Sequence, residues 1–186
     1  HHPIELGDAQ RAIRYARAHA RDYGYQPNRI GIWGFSAGGH LAASTGTHFD
    51  KGNAGANDPI DRESSRPDFM ILAYPVITFE EPYLHRGSRD NLLGKNAPQD
   101  LIDLMSNEKQ VTKETPPTFL FATSDDPVVP VQNSVFFYLA CRKMGVPAEM
   151  HLYLHGPHGV GLAQSFAELK TWPDLVANWL TASGFR

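Results

Sequence analysis

The sequence is poor in cysteine, in basic charge and in long apolar runs, and each shortage excludes a class of protein. Its one cysteine, Cys141, excludes an internal disulfide framework and every cysteine-based zinc motif. Lys and Arg number 17 against 20 Asp and Glu, so the net charge of −3 lacks the basic footprint of a nucleic-acid-binding protein. No apolar run approaches the ~18 residues of a membrane helix, and no signal-peptide pattern is visible. A lone cysteine is compatible with a bacterial cytoplasm and equally with a periplasmic or secreted location.

The composition is that of one globular unit. Apolar residues make up 41% of the 186 positions and aromatic residues 11%, which is enough for a packed core. The 16 glycines and 14 prolines suit a fold with many loops. We therefore expect residues 1–186 to form a single domain.

Short apolar runs alternate with helical patterns along the chain. Strands are predicted at 29–35, 68–77, 118–123 and 148–154, and helices at 9–23, 40–45, 132–144 and 166–180, with a short amphipathic piece near 101–105. Asp8 and Gly24 are the predicted caps of the first helix. This alternation predicts an α/β fold with a mostly parallel sheet of about four strands and helices on both faces.

Two surface features have competing interpretations. Residues 78–115 form an irregular stretch that is unusually long for a compact domain unless it is functional, as in a lid. Its part 78–95, which includes Tyr83, His85 and Arg89, is the candidate lid that would face a bound ligand. A purely structural loop fits the same residues. The first predicted helix carries an arginine stripe that favours a solvated face over an anion-binding surface. The stripe consists of Arg11, Arg14, Arg17 and Arg21.

The motif Gly34-x-Ser36-x-Gly38 lies between a predicted buried strand and a predicted helix. In that context it indicates a sharp turn that holds the serine at positive φ and lifts its hydroxyl clear of the backbone. Side chains at positions 34 and 38 are expected to collide across the turn. The helix that follows directs its amides and its positive dipole end to the place where an oxyanion would form. The alternative is a glycine-rich helix start that only packs closely.

A serine nucleophile needs a base and an acid, and both follow Ser36 in the order Ser, Asp, His. Asp125 and Asp126 come directly after one predicted strand, and His155 and His158 after the next. We prefer His158 because its glycine- and proline-flanked loop can bend over the sheet. We prefer Asp125 because its neighbour precedes a proline and is suited to capping a turn. A metal site built from these residues lacks a helical i, i+4 pair, so no metal or organic cofactor is expected.

These residues resemble the α/β-hydrolase superfamily. GFSAGGHLA, TSDDPVVPVQNS and HGPHGVGL are similar to blocks of its esterase and lipase branch, in particular of bacterial acetyl-xylan and feruloyl esterases. The resemblance implies that Ser36 is the nucleophile, Asp125 the acid and His158 the base in the hydrolysis of a small-molecule or oligosaccharide ester. TSDDPVVP also resembles prolyl oligopeptidases, whose first aspartate is the acid. A serine peptidase and a catalytically impaired binding or dimerisation module are the alternatives.

The sequence departs from the superfamily in one respect. It has no HGGG-type loop before the serine, and the strands that precede the first helix are missing, so it resembles the C-terminal two-thirds of the fold. The Ala37 amide is then the single oxyanion donor that this chain supplies. The strand at 29–35 becomes a sheet edge, and we expect a second copy or an N-terminal segment to cover it.

Overall fold

The computed structural model describes all 186 residues as alternating strands and helices. The strands are β1 (Gly31–Phe35), β2 (Phe69–Ala73), β3 (Thr118–Thr123) and β4 (Ala148–Tyr153), and the helices are α1 (Ile4–Ala18), α2 (Ala37–Thr47), α3 (Arg86–Leu93), α4 (Gln99–Met105), α5 (Gln132–Met144) and α6 (Trp172–Ala182). Short 3₁₀ turns occur at Pro59–Arg62, Asn107–Lys109 and Leu169–Thr171. No helix is long and apolar enough to cross a membrane.

The four strands form one parallel sheet in the order β1-β2-β3-β4. The predicted α/β fold is therefore confirmed. Because all strands run in the same direction, the loops after β1, β3 and β4 emerge at one edge of the sheet. This edge receives Ser36 and the predicted acids and bases.

Both faces of the sheet are covered, because successive strand residues point to opposite sides. Met70 and Leu72 of β2 face the cluster that contains Ala43 of α2 and Phe137 of α5. The other face packs against α6. Its cluster includes Ile71, Ala73, Phe119, Phe121, Trp172 and Trp179. Two large apolar layers thus fix the sheet and hold the loops at its carboxyl edge.

Helix α1 begins and ends about five residues earlier than its sequence predicts. Pro3 occupies the N-cap position, so Asp8 lies inside the helix and caps nothing. His19 is the C-cap residue, while Gly24 adopts a φ of +76° in a later turn. The periodicity correctly predicted a helix in this region. Its predicted caps were wrong, because Asp8 and Gly24 are residue types that often cap helices but neither lies at an end of α1.

Three of the four arginines on α1 pair with carboxylates of the segment between α2 and β2. Arg11 bonds Asp58 and Asp61 at 2.7 Å each. Arg14 pairs with Asp50, and Arg17 lies 3.1 Å from Asp68. These arginines therefore fasten a long loop to the helix. The predicted solvated face is wrong for Arg14 and Arg17, which are 13% and 12% exposed, but Arg11 is 48% exposed.

The segment 78–115 is a packed structure of two short helices. Phe79 and Met105 are buried with Val76 and Val129 in a third apolar cluster, against which leucines of α3 and α4 pack. The predicted amphipathic piece near 101–105 is α4. A lid role for this segment stays a prediction.

Candidate active site

Ser36 lies in a strained turn between β1 and α2. Its φ is +53° and its ψ −120°, a backbone conformation that costs a non-glycine residue on the order of 1–3 kcal/mol. Its N–H donates to the Ala73 carbonyl at 3.1 Å, and its carbonyl accepts from the Val76 N–H at 3.0 Å. These bonds to the last residue of β2 and to the segment after it hold the turn in place.

The glycines around the turn differ in the space available for a side chain. A Cβ at Gly34 would overlap the backbone carbonyl of Gly38, so the first glycine has no substitute. A Cβ at Gly38 would meet nothing within 4 Å. The expectation that both positions collide is therefore wrong for Gly38. The crowded partner is Gly39, where a Cβ would lie 2.7 Å from the Pro75 side chain.

His158 bridges Ser36 and an aspartate through its two ring nitrogens. Its Nε2 lies 2.7 Å from Ser36 Oγ, and its Nδ1 lies 2.7 Å from Asp126 Oδ2. Since an ionised carboxylate only accepts, Nδ1 carries the proton and Nε2 accepts from the serine hydroxyl. His158 is 15% exposed, so the pair is largely shielded from water. This tautomer leaves the base ready to take the serine proton.

Asp126, and not Asp125, is the aspartate that holds His158. Its side chain is 2% exposed, and its Oδ1 accepts from the Val128 and Val129 N–H groups at 2.8 and 3.0 Å. The turn-capping role expected from the sequence is therefore present. The sequence-based preference for Asp125, which rested on this capping role, was wrong. A carboxylate has two oxygens, so Asp126 can cap the turn with Oδ1 and bind His158 with Oδ2.

Asp125 forms a separate pair with His155. Asp125 Oδ2 lies 2.7 Å from His155 Nδ1, and Oδ1 accepts from the Gly156 N–H at 2.9 Å. The hydrogen bond from His155 lowers the pKa of the Asp125 carboxyl. Both side chains are more than half exposed, so the pair lies at the rim of the site. The preference for His158 over His155 agrees with the geometry, because His158 is the histidine that reaches Ser36.

Tyr74 is a site residue that sequence reasoning missed. It follows β2 at a φ of +38°, and its ring packs edge-on against His158 with 5.1 Å between the centroids. Its hydroxyl accepts from the Gly161 N–H at 2.9 Å, and burial raises the pKa of the phenol. The tyrosine thus limits the positions open to the histidine ring. The sequence placed Tyr74 inside the predicted strand 68–77, whereas β2 ends at Ala73.

His40 is a buried histidine one turn beyond the serine. Its Nε2 lies 2.8 Å from the Met105 carbonyl, its ring stacks on Phe79, and Ser44 Oγ is 3.4 Å from Nδ1. Its main partner is thus distant in sequence. Burial lowers the pKa of His40 to about 4, so it is neutral near pH 7.

The amide of Ala37 is placed as an oxyanion donor would be. Ala37 is the first residue of α2, where N–H groups have no partner within the helix and the dipole is positive. A cavity of about 370 Å³ opens beside it, with an apolar wall of Leu41, Phe79 and Leu92.

A protein-family model described as BD-FAE matches residues 1–140. The chain belongs to the BD-FAE family. The match begins before α1 and extends into α5, so it includes the Ser36 turn and both aspartates.

The relatives of this BD-FAE chain include an acetylxylan esterase and a xylanase. It is 34% identical over 181 residues to an acetylxylan esterase of Xylanibacter ruminicola, covering 95% of the chain and 35% of the relative. It is 40% identical over 163 residues to endo-1,4-beta-xylanase B of Butyrivibrio fibrisolvens, covering 87% of the chain and 25% of the relative. The chain thus spans a quarter to about a third of the length of these two curated relatives.

Solved structures show the same fold. An acetyl ester-xyloside bifunctional hydrolase from Caldicellulosiruptor lactoaceticus superposes with a TM-score of 0.97 at 48% identity, covering 99% of this chain and 67% of that one. A carboxylesterase from Lactobacillus plantarum superposes with a TM-score of 0.78 at 26% identity, covering 99% and 69%. The resemblance to α/β-hydrolase carbohydrate esterases is confirmed.

The three predicted substrate residues of the BD-FAE chain make contacts within the protein. His85 caps α3 by accepting from the Ser88 N–H, and Arg89 lies 2.7 Å from Asp90. Tyr83 packs edge-on against Phe136. A substrate role for these residues stays a prediction. No group of three or more His, Cys, Asp or Glu side chains is placed to hold a metal ion.

Proposed function

We propose that this chain carries the catalytic centre of a carboxylic ester hydrolase that removes acyl groups from carbohydrate. The observation that carries the proposal is the unbroken hydrogen-bond relay of Ser36, His158 and Asp126, with 2.7 Å at each step. A relay of this kind at a strained strand-to-helix turn supports nucleophilic catalysis by serine.

The first half of the reaction makes an acyl-enzyme. Ser36 Oγ attacks the ester carbonyl carbon while its proton passes to His158 Nε2. Asp126 accepts the Nδ1 hydrogen bond and stabilises the imidazolium. When the tetrahedral intermediate collapses, His158 returns the proton to the departing alcohol oxygen, and the acyl group stays on Ser36.

The second half releases the acid. Water takes the place of the alcohol, His158 removes its proton, and the resulting hydroxide attacks the acyl carbon. Ser36 leaves with the proton from His158. The amide of Ala37 donates to the oxyanion in both halves, and we infer that it is the single oxyanion donor from this chain. Since losing one such donor costs about 10²–10³ in kcat, we expect slow turnover by these 186 residues alone.

The carbohydrate ester is inferred from the relatives. An acetylxylan esterase and an acetyl ester-xyloside hydrolase are both named for esters on xylan or xylosides. Nothing in the hydroxyl, imidazole and carboxylate relay itself distinguishes ester from amide cleavage, so the substrate class needs a direct comparison.

The test compares three substrates on the same preparation: p-nitrophenyl acetate, an acetylated xylo-oligosaccharide and a peptide p-nitroanilide. We expect hydrolysis of the first two and none of the third, with all activity lost in Ser36→Ala. Cleavage of the anilide with comparable kcat/KM would support a peptidase. Failure to cleave any of them, with Ser36 also inert to acylating probes, would support an impaired module.

A further inference from the structure

The exposed pair formed by Asp125 and His155 has no part in the relay, yet it lies at the base of the loop that carries the catalytic histidine. We propose that Asp125 is a positioning residue, which fixes the loop 155–161 so that His158 meets Ser36 and Asp126 together. This inference rests on the proposed function and concerns a residue outside the Ser36–His158–Asp126 relay.

Asp125 holds the first two residues of this loop with separate oxygens. Oδ1 accepts from the Gly156 backbone N–H at 2.9 Å, and Oδ2 lies 2.7 Å from His155 Nδ1. Asp125 lies two residues beyond the end of β3 and next to Asp126 in the chain. One turn of backbone therefore fixes both the aspartate that holds the loop and the aspartate that holds the catalytic ring.

Gly156 has further contacts that act together with its bond to Asp125. Its carbonyl accepts from Thr123 Oγ1 at 3.0 Å. A Cβ on it would lie 2.7 Å from a Thr123 methyl and 2.8 Å from a Leu169 methyl, so these two side chains fill the space on that side of the glycine. With the carbonyl fixed by threonine, the bond from Asp125 to the N–H sets the orientation of the peptide that enters the loop.

The orientation of the peptide at Gly156 affects the position of His158, because the two residues are close in the chain. Only Pro157 stands between Gly156 and His158, and the proline ring fixes its own φ near −65°. At the far end of the loop, Gly161 donates to Tyr74 Oη at 2.9 Å and accepts from Trp172 Nε1 at 3.2 Å. His158 is thus central in a loop held at both ends, and releasing one end gives the ring freedom to move.

The size of the effect follows from the geometry of the relay. His158 must satisfy two 2.7 Å contacts at once, and a displacement of about 1 Å in such a site can lower the rate about 100-fold. The charge of Asp125 contributes less, because solvent and salt screen an exposed carboxylate. An asparagine, whose carbonyl oxygen can still accept from the Gly156 N–H, should therefore preserve most of the function.

The kinetic test uses Asp125→Ala with Asp125→Asn as its conservative partner and His155→Ala as a matched control. Rates are expressed per active site, counted by titration with a fluorophosphonate. We expect Asp125→Ala to lower kcat about 10–100-fold with KM within about 3-fold. Asp125→Asn and His155→Ala should stay within about 3-fold, because each keeps the bond to Gly156.

A merely structural role would reduce the titrated fraction of active molecules and leave kcat per site unchanged, and that result would overturn the proposal. Equal losses in Asp125→Ala and Asp125→Asn would also overturn it, because charge and not the loop contact would then matter.

An independent readout is the low-field proton NMR signal of the His158 Nδ1–H, assigned by its loss in Asp126→Ala. We expect Asp125→Ala to broaden or shift this signal and Asp125→Asn to retain it. A signal unchanged in Asp125→Ala would overturn the proposal. If wild-type protein shows no turnover while the signal responds as expected, the proposed function fails and the positioning role of Asp125 stands.

Discussion

At Asp126, one carboxylate both closes a turn and orients a base. Oδ1 accepts two backbone N–H groups, which hold the side chain rigid, and Oδ2 is left for His158 Nδ1. With its side chain 2% exposed, the carboxylate meets little water that could compete for the histidine. The precision of the relay therefore depends on backbone bonds as well as on the three side chains.

Replacing Asp126 by asparagine should lower kcat by about 10³–10⁴, because the amide keeps the shape but stabilises the wrong histidine tautomer and no imidazolium. The measurement is kcat for p-nitrophenyl acetate. Asp125→Asn is the matched control and should stay within about 3-fold. A larger loss in Asp125→Asn than in Asp126→Asn would contradict the assignment of the acid.

At the scale of the elements, the backbone of the turn from β1 to α2 has little conformational freedom. It combines a serine at positive φ with a glycine whose Cβ would overlap backbone. Such a turn is retained only where the surrounding sheet and helix hold it.

Gly34→Ala should lower the free energy of unfolding by about 1–3 kcal/mol or more, because its new methyl group enters the space of the Gly38 carbonyl. The control is Gly38→Ala, which has open space and lies in a helix, where alanine is favoured over glycine by roughly 0.5–1 kcal/mol. Urea denaturation measures both. Equal stability of the two variants would contradict the close packing described for the turn.

The sequence predicted elements best where their ends carry strong signals. Strand 118–123 and helix 132–144 agree with the observed bounds, since a proline precedes the strand and a left-handed Gly145 ends the helix. The choice between two adjacent aspartates could not be made this way, because both lie in the same turn and only the folded loops decide which histidine each one meets. Tyr74 was missed because its contact with Gly161 joins segments 87 residues apart.

For the whole molecule, burial of His40 ties stability to pH. Its folded pKa of about 4 lies below the unfolded value of about 6.5, so the unfolded chain binds a proton that the folded chain refuses between these values. The stabilisation is complete above pH 6.5 and is lost as the pH falls towards 4.

The difference of about 2.5 pKa units corresponds to about 3 kcal/mol. We expect the free energy of unfolding to drop by this order between pH 6.5 and 4, and His40→Gln to lack that part of the decline. Chemical denaturation at several pH values measures it. Parallel pH profiles for the two proteins would show that His40 is not the group responsible.

Strand β1 lies at one edge of the sheet, and this edge is a candidate contact surface for another chain or segment. Trp33 is 42% exposed there, and since Ser36 N–H bonds to β2, the alternating amides of Trp33 and Phe35 point away from the sheet. Unpaired edges of this kind favour pairing with another strand. We propose that a second copy, or a segment preceding residue 1, covers it.

For the 186-residue chain we expect concentration-dependent association in sedimentation velocity at micromolar concentration, weakened by Trp33→Lys. A single monomer peak, together with rapid hydrogen exchange of the Trp33 amide, would contradict coverage by a second copy and leave the preceding segment as the proposed cover. The exposed Leu139→Lys on α5 is the control for added charge alone.

The central claim is that His158 and Asp126 make the Ser36 hydroxyl nucleophilic. The most direct measurement is labelling with a fluorophosphonate followed by peptide mass spectrometry. The account predicts one modified residue, Ser36, with labelling lost in Ser36→Ala and slowed at least about 100-fold in His158→Gln. A native protein that stays unlabelled, or carries the label on another residue, would contradict it.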